Sequence, residues 1–194
     1  EDLTLTPDNE YLVSDNFVML DGTTLTIMPG VELNVSDGKM IFVEGDINAI
    51  GTTDNRITFA AENNGWEGFR LDGNSYFEYC IFRNINGWNI FENYFNSYLN
   101  VKKSIFIDNF SQIVWRSGET IDFTTSNFVE NIKLNFTNNH YDYRYTYSNF
   151  INNFGGVSNQ SGIASGPMDV ATGSDIFAYN NIFNNIFNGI GELP

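Results

Sequence analysis

The amino-acid sequence predicts an all-β protein wound as a parallel β-solenoid, and three observations lead to this fold class. The composition favours turns and strands, because Asn, Phe and Gly are abundant while Pro is rare. A tripeptide of the form small-x-Phe recurs about every 22 residues, and apolar residues alternate with polar ones inside each repeat. The tripeptides occupy residues 80–82, 104–106, 126–128 and 148–150.

A repeat of this length has room for about three short strands and their turns, and it cannot bury its apolar face alone. Stacking successive repeats ~4.8 Å apart pairs each strand with its copies above and below. Like residues then form ladders, with Phe stacked inside and Asn at a turn, where it tolerates a left-handed conformation and bonds to the Asn of the next coil. The predicted ladder residues are Phe82, Phe106, Phe128, Phe150, Asn109, Asn131 and Asn153.

The N-terminal third carries a related pattern. Residues 22–35 read as two alternating strands around a Pro-Gly turn, and residues 40–52 and 56–59 continue the alternation. This run resembles the opening coils of right-handed parallel β-helix proteins of the pectin-lyase-like superfamily, in particular secreted or surface adhesin-like members of bacteria and archaea. The resemblance implies a right-handed parallel β-helix of seven or eight coils of about 22 residues. Since this fold hosts lyases, hydrolases, adhesins and phage spikes, it leaves the activity open.

We expect a single domain over residues 1–194. Within it, residues 1–20 form an N-terminal strand or cap segment, residues 155–174 a Gly/Ser-rich inserted loop, and residues 175–194 the last coil. Neither end shows the amphipathic helix that would cap a solenoid, so we expect a neighbouring copy to cover the exposed strand edges.

Charge and rare residues exclude several classes of function. A net charge of −15 repels nucleic acid and anionic membranes, and no apolar run reaches the ~20 residues that span a bilayer. The lone Cys80 and lone His140 exclude an internal disulfide, a Cys-rich zinc site and a multi-His metal site. We therefore expect neither a nucleic-acid partner nor membrane insertion, and the resemblance implies a secreted or cell-surface location.

Catalytic chemistry is not indicated. The enzymes of the resembled superfamily cleave acidic polysaccharides, either with Asp clusters, Gly-His-Gly and Arg-x-Lys or with Ca²⁺ and a basic residue, and the three hydrolase strings are absent here. Asp108 and Glu130 are predicted to stack one coil apart, which suits an acid pair or half a Ca²⁺ site but is equally typical of solvated turn residues. No catalytic residue, metal ligand or cofactor is predicted, and Ca²⁺ binding has no motif to support it.

Aromatic residues are the stronger binding signal. Asn-Gly-Trp occurs twice, at positions 64–66 and 86–88, which suggests that its tryptophans stack as a pair on one lateral face, although core packing gives the same spacing. Other aromatic side chains lie in an irregular stretch or begin an alternating row of tyrosines. The predicted ligand-binding residues are Trp66, Trp88, Tyr94, Tyr98 and Tyr141.

Taken together, the sequence favours a non-catalytic extracellular structural or adhesive protein that self-assembles end to end into a filament or surface layer. A polysaccharide or host-surface ligand is the further partner it allows. The alternative is a carbohydrate-active β-helix protein that binds acidic polysaccharide or acts as a Ca²⁺-dependent polyuronate lyase.

Overall fold

A computed structural model describes residues 1–93, 97–115, 120–129, 142–146, 149–151, 176–178 and 181–183. The described residues form 21 parallel-paired strands and no helix, so the prediction of an all-β parallel solenoid is confirmed. Several predicted features lie outside the described residues, namely Tyr94, Tyr141, Asn131, Asn153, Glu130, His140 and the loop at residues 155–174.

The strands form three parallel sheets. Sheet A contains β1 (Leu3–Leu5), β4 (Thr24–Ile27), β7 (Asp46–Ile50), β10 (Ser75–Glu78), β13 (Tyr98–Lys102), β16 (Thr120–Thr124), β18 (Asp142–Thr146) and β20 (Ile176–Ala178). Sheet B contains β2 (Tyr11–Val13), β5 (Glu32–Val35), β8 (Ile57–Ala61), β11 (Cys80–Arg83), β14 (Ile105–Ile107), β17 (Asn127–Val129), β19 (Asn149–Ile151) and β21 (Asn181–Phe183). Sheet C contains β3 (Phe17–Met19), β6 (Met40–Val43), β9 (Gly68–Leu71), β12 (Asn89–Asn93) and β15 (Gln112–Trp115).

In the described part of the chain, five coils contribute a strand to all three sheets: coil 1 (β1–β3), coil 2 (β4–β6), coil 3 (β7–β9), coil 4 (β10–β12) and coil 5 (β13–β15). Strands β16 and β17 belong to coil 6. Leu3 pairs with Leu25, which is the step that the repeat predicts, but Ile47 pairs with Ser75, which is a longer step along the chain. Coil length therefore varies because turns differ in length, while the strand registers remain continuous.

The interior is a stack of aromatic rings that follows the predicted ladder. Phe82 pairs in register with Phe106, and Phe106 with Phe128, with ring centroids 4.8 and 4.7 Å apart and nearly parallel planes. The backbone register continues to Phe150. Phe59 extends the ladder one coil downward, 5.2 Å from Phe82 and 5° from parallel. Because strand spacing and ring-stacking distance nearly coincide, one Phe per coil fills this part of the core without a gap.

The corners of the coil depend on single residues with left-handed backbone. Tyr79, Lys103 and Thr125 have φ between 49° and 55°, and each stands between a sheet A strand and a sheet B strand. Asn84 and Asp108 have φ of 56° and 53° at the next corner, directly after sheet B. The left-handed conformation costs a residue with a Cβ roughly 1 kcal/mol. In this fold it turns the chain sharply from one sheet to the next.

The left-handed conformation expected of Asn109 is wrong, whereas its expected bond to Asn131 lies outside the described residues. The left-handed residue is Asp108, whereas the buried Asn109 side chain bonds to backbone of the preceding coil. Its Oδ1 accepts from the Ile85 N–H at 3.0 Å, and its Nδ2 donates to the Phe82 carbonyl at 2.9 Å. The residue one coil below Asn109 is Ile85 rather than an asparagine, and the amide bonds to the backbone of that coil on both sides of its corner.

A second ladder of small polar groups runs beside the Phe stack. The Cys80 N–H donates to Ser104 Oγ at 3.1 Å, and the Ser104 N–H donates to Ser126 Oγ at 3.4 Å. Cys80 itself is fully buried, its thiol donates to the Ala49 carbonyl, and burial raises its pKa far above the ordinary range for a thiol. Cys80 is thus a packed interior thiol, because so high a pKa leaves no thiolate at neutral pH.

Candidate functional site

Trp66 is part of the core, so the prediction that it is an exposed ligand-binding residue is wrong. The side chain is fully buried, its ring lies edge-on to Phe69 at 5.1 Å, and its Nε1 donates to the Arg83 carbonyl at 3.2 Å. A buried indole needs a partner for its N–H, and the last residue of β11 in the next coil supplies one.

Trp66 and Trp88 do not form the expected stacked pair. Trp66 bridges to Ile85 in the next coil, whereas Phe69 pairs with Phe91. The turn between Ile85 and Phe91 therefore contains three more residues than the corresponding turn of the coil below. Trp88 lies in this longer turn and is 83% exposed. Of the two tryptophans, only Trp88 remains available to a partner.

The outer face of sheet A carries an aromatic pair. Tyr76 is 38% exposed, and its ring lies 5.6 Å from that of Tyr98 with a tilt of 48°. Asn48 and Asn100 flank Tyr76 in the adjacent strands, and Asn100 Nδ2 donates to Tyr98 Oη at 3.0 Å. Tyr98 is one of the predicted binding residues and Tyr76 is not, although the alternation of buried Ser75 and Phe77 around Tyr76 indicates an outward side chain.

A small basic cluster occupies the corner between sheets A and B. Arg56 and Lys103 both lie over the Tyr79 ring, at 5.5 and 4.7 Å from its centroid. Arg56 also donates to the Lys103 carbonyl at 2.8 Å, and Lys103 Nζ pairs with Glu78 Oε1 at 2.7 Å. Cation–π contacts at exposed sites contribute about 0.5–1 kcal/mol. The cluster thus links three successive coils on the outside of the solenoid.

Hydrogen bonding within this cluster shifts two ionisation equilibria. The pKa of Tyr79 is lowered, first by its hydrogen bond with Thr53 and then by that with Lys103. The pKa of Lys103 is raised, first by Glu78 and then by Tyr79. Both shifts favour the charged forms, so the cluster behaves as a fixed ionic contact rather than as a source of a neutral amine nucleophile.

Some carboxylates in the described part of the chain cap backbone groups of a neighbouring coil. Asp37 accepts from the Asn64 N–H and Nδ2, each at 2.7 Å, and from the Gly65 N–H at 3.2 Å. Asp46 and Asn74 repeat this arrangement in sheet A. Among the described residues no group of three or more His, Cys, Asp or Glu side chains is placed to hold a metal ion. Asp108, half of the predicted acid pair, is an exposed left-handed turn residue.

Coil 1 borders an open apolar cavity. Among the described residues, β1, β2 and β3 each pair on one side only, with β4, β5 and β6. The cavity measures about 500 Å³ including its mouth. Its lining includes Leu3, Leu5, Tyr11, Val13 and Phe17.

Comparisons with known proteins assign no family to the chain. No protein-family model matches it, and neither a curated protein nor a solved structure matches it. Across the described residues, no helix is long and apolar enough to cross a bilayer.

Proposed function

We propose that the protein is a non-catalytic structural or adhesive solenoid, secreted or displayed on a cell surface, whose copies associate end to end through coil 1. The observation that carries this proposal is the open end of coil 1, where three strands and an apolar cavity lie together without a partner among the described residues. Such an end is a template for one more coil.

The backbone of coil 1 has hydrogen-bonding groups directed at this open end. The carbonyls of Leu5, Val13 and Met19 accept bonds from coil 2. Because neighbouring residues of a strand point their backbone groups to opposite sides, those of Thr4, Leu12 and Val18 are directed away from coil 2. A second copy that adds a coil here satisfies these groups and covers the apolar cavity at once.

Electrostatic repulsion opposes this association, so its strength depends on the ionic strength. Residues 1–22 contain six acidic and no basic side chains, and residues 175–194 contain two acidic and no basic ones. Apposed acidic ends repel each other over a Debye length of ~10 Å at 0.1 M salt. We expect end-to-end association to strengthen as salt or a divalent cation screens this repulsion.

Proline substitution at the open edge tests the proposal. Leu12→Pro with Val18→Pro removes two N–H donors that face the open end and leaves the pairing with coil 2 intact. Leu12→Thr with Val18→Thr is the matched control, since it keeps both donors and suits a strand. We expect the native chain and the Thr variant to form linear assemblies by electron microscopy and sedimentation, and the Pro variant not to form them. A native chain that stays a monodisperse monomer at micromolar concentration and high salt contradicts the proposal.

A second candidate function is saccharide binding, favoured by the Tyr76–Tyr98 pair. Exposed tyrosine rings stack on the apolar faces of sugars, and the part-exposed amide of Asn48 beside Tyr76 is suited to hydroxyl groups. Tyr76→Ala is expected to abolish binding to a responsive polysaccharide, while Trp88→Ala, an exposed aromatic elsewhere, leaves it unchanged. Absorbance from unsaturated sugars, released from a polyuronate in the presence of Ca²⁺, would instead favour the lyase alternative.

A further inference from the structure

The Asn-Gly-Trp tripeptide occurs twice in the described chain, and its two copies are matched sites for one reaction of the backbone. The nitrogen of a glycine that follows asparagine is not shielded by a side chain, so it can approach and attack the asparagine Cγ. The N–Cγ bond forms, the Cγ–Nδ2 bond breaks, and ammonia leaves with the proton of the glycine N–H, which closes a succinimide ring. Water then opens the ring at either carbonyl. One product is aspartate, and the other is isoaspartate, in which the main chain runs through Cγ.

At Asn64 a carboxylate opposes this reaction. Asp37 accepts a hydrogen bond from Asn64 Nδ2 at 2.7 Å and another from the Gly65 N–H at 3.2 Å. The first bond holds the leaving group, and the second engages the proton that the attacking nitrogen must lose. A negative charge beside that N–H also opposes its deprotonation. Cyclisation at Asn64 therefore requires both charge-assisted hydrogen bonds to break first.

At Asn86 the reacting atoms are not held. The residue is exposed, and among the described residues neither its side-chain amide nor the Gly87 N–H has a hydrogen-bond partner. The Asn86 N–H donates to the Trp66 carbonyl at 2.9 Å, and the Gly87 carbonyl accepts from Ser111 Oγ at 2.9 Å. These two bonds fix the ends of the dipeptide and leave the attacking nitrogen and the side chain between them free to meet.

We propose that Asn86 is a self-modification site, where the Gly87 nitrogen converts the side-chain amide to aspartate and isoaspartate, and that Asp37 protects the same tripeptide at Asn64. Because both sites read Asn-Gly-Trp, their local sequence gives them similar intrinsic reactivity, and the difference between them comes from the fold. We expect Asn86 to convert at least about tenfold faster than Asn64, since one charge-assisted hydrogen bond that must break slows a reaction by about this factor.

Isoaspartate at position 86 is expected to disrupt its own turn. It adds one atom to the main chain between two fixed points, the Asn86 N–H on the Trp66 carbonyl and the Gly87 carbonyl on Ser111. The turn is closely packed at this point, because a Cβ at Gly87 would collide with the Glu67 carbonyl oxygen. Both products also place a new negative charge in the turn. The modification therefore loosens the contact between the turns of coils 3, 4 and 5, and water drives it in one direction.

Peptide mapping by mass spectrometry, after storage of the folded protein in mildly alkaline buffer, tests the site. Water labelled with heavy oxygen marks each ring opening, and electron-transfer fragmentation distinguishes isoaspartate from aspartate. We expect rapid labelling at Asn86 and slow labelling at Asn64, and similar rates at both sites in the urea-unfolded chain. If Asn64 converts as fast as Asn86 in the folded protein, the inference is overturned. An Asn86 that stays intact in the folded protein, while the unfolded chain reacts, overturns it as well.

Asp37→Ala tests the protection of Asn64. It removes both hydrogen bonds that restrain the reacting atoms, so the conversion rate of Asn64 is expected to rise toward that of Asn86. Glu62→Ala is the matched control, because it removes a nearby carboxylate that bonds to Ser36 instead. Circular dichroism checks that both variants are folded. An Asn64 rate in folded Asp37→Ala that equals the native rate would show that the carboxylate gives no protection.

Asn86→Gln tests the structural consequence. Glutamine keeps the amide but would have to close a larger ring, so it cyclises much more slowly. Native and variant proteins are stored alike, and their urea unfolding is measured before and after storage. We expect the native chain to lose stability in proportion to its isoaspartate content and the variant to keep its unfolding midpoint. Equal losses in the two proteins contradict the expected disruption of the turn.

Discussion

Phe82 and Phe106 lie in register on adjacent coils with their rings 4.8 Å apart and 14° from parallel, so that the ring of one coil covers the ring of the next. Edge-on contacts from Phe77 and Phe91, on the two other sheets, surround this stack. The aromatic rings therefore fill the core in direct contact with one another. Removing a single ring leaves a cavity beside the rings above and below it.

The first prediction concerns this stack. Phe106→Ala is expected to destabilise the fold by about 3–5 kcal/mol, because it removes a buried ring and leaves a cavity between Phe82 and Phe128. Phe110→Ala, which truncates an exposed ring in the turn that follows, is expected to cost less than about 1 kcal/mol. Urea unfolding at low protein concentration measures both. Equal losses of unfolding free energy in the two variants would show that the Phe stack does not stabilise the core.

The second prediction concerns the buried amide at the sheet B corner. Asn109→Ala removes the side-chain acceptor of the Ile85 N–H, and a buried donor without a partner costs about 1–3 kcal/mol. It also removes one hydrogen bond to the Phe82 carbonyl, which lies in a strand, so a loss of about 1–3 kcal/mol is expected in urea unfolding. The exposed Asn63 gives the control, since Asn63→Ala removes an amide that caps no buried group. A loss below about 1 kcal/mol at Asn109 would mean that water replaces the amide.

Regular and irregular parts of the coil explain which features the sequence could predict. The Phe ladder was predictable because strands in adjacent coils must keep register, so that buried positions recur at nearly constant spacing. The spacing of the two tryptophans led to a wrong prediction because two differences in turn length nearly cancel. The segment from Phe59 to Trp66 is four residues longer than the equivalent segment of the next coil, from Phe82 to Ile85. The turn that follows, from Trp66 to Phe69, is three residues shorter than its equivalent from Ile85 to Phe91. The Asn-Gly-Trp repeat therefore keeps the spacing of an ordinary coil while its two copies occupy different structural positions.

The corner residues escaped sequence analysis for a different reason. Tyr79, Lys103 and Thr125 share a left-handed conformation but no residue type, and none is the glycine or asparagine usual there. Tertiary contacts hold at least the first of them, since Arg56 and Lys103 both lie over the Tyr79 ring. A conformation set by neighbours on other coils leaves no local signal in the sequence.

The third prediction is a pH dependence that involves Asp37. Hydrogen bonds from the Asn64 side chain and then from the Gly65 N–H lower the pKa of Asp37 below its ordinary value of 3.8. A carboxyl group whose pKa is lowered by folding stabilises the fold above its unfolded pKa, and that contribution is lost as the pH falls through the folded value. At pH 7 the Asp37→Asn variant is therefore expected to unfold at a lower urea concentration than the native chain. At pH 3 and below, the unfolding midpoints of the two proteins are expected to approach each other. Asp54→Asn, at an exposed turn, is the control, and a constant difference for Asp37→Asn across this range would contradict the assignment.

The fourth prediction concerns the corner cluster of Arg56, Tyr79 and Lys103. The pKa of Tyr79 is lowered by hydrogen bonds from Thr53 and Lys103, so each of Thr53→Val and Lys103→Met is expected to raise it toward the ordinary value of 10.0. The Thr53 bond has the larger effect, so Thr53→Val should produce the greater rise. Tyrosine ring carbon shifts, followed by NMR against pH, measure both changes, with Tyr79→Phe to assign the signal. Arg83→Met, which removes a cation from the neighbouring strand, should leave the titration in place. If neither Thr53→Val nor Lys103→Met changes the titration of Tyr79, the two hydrogen bonds to its hydroxyl do not form in solution.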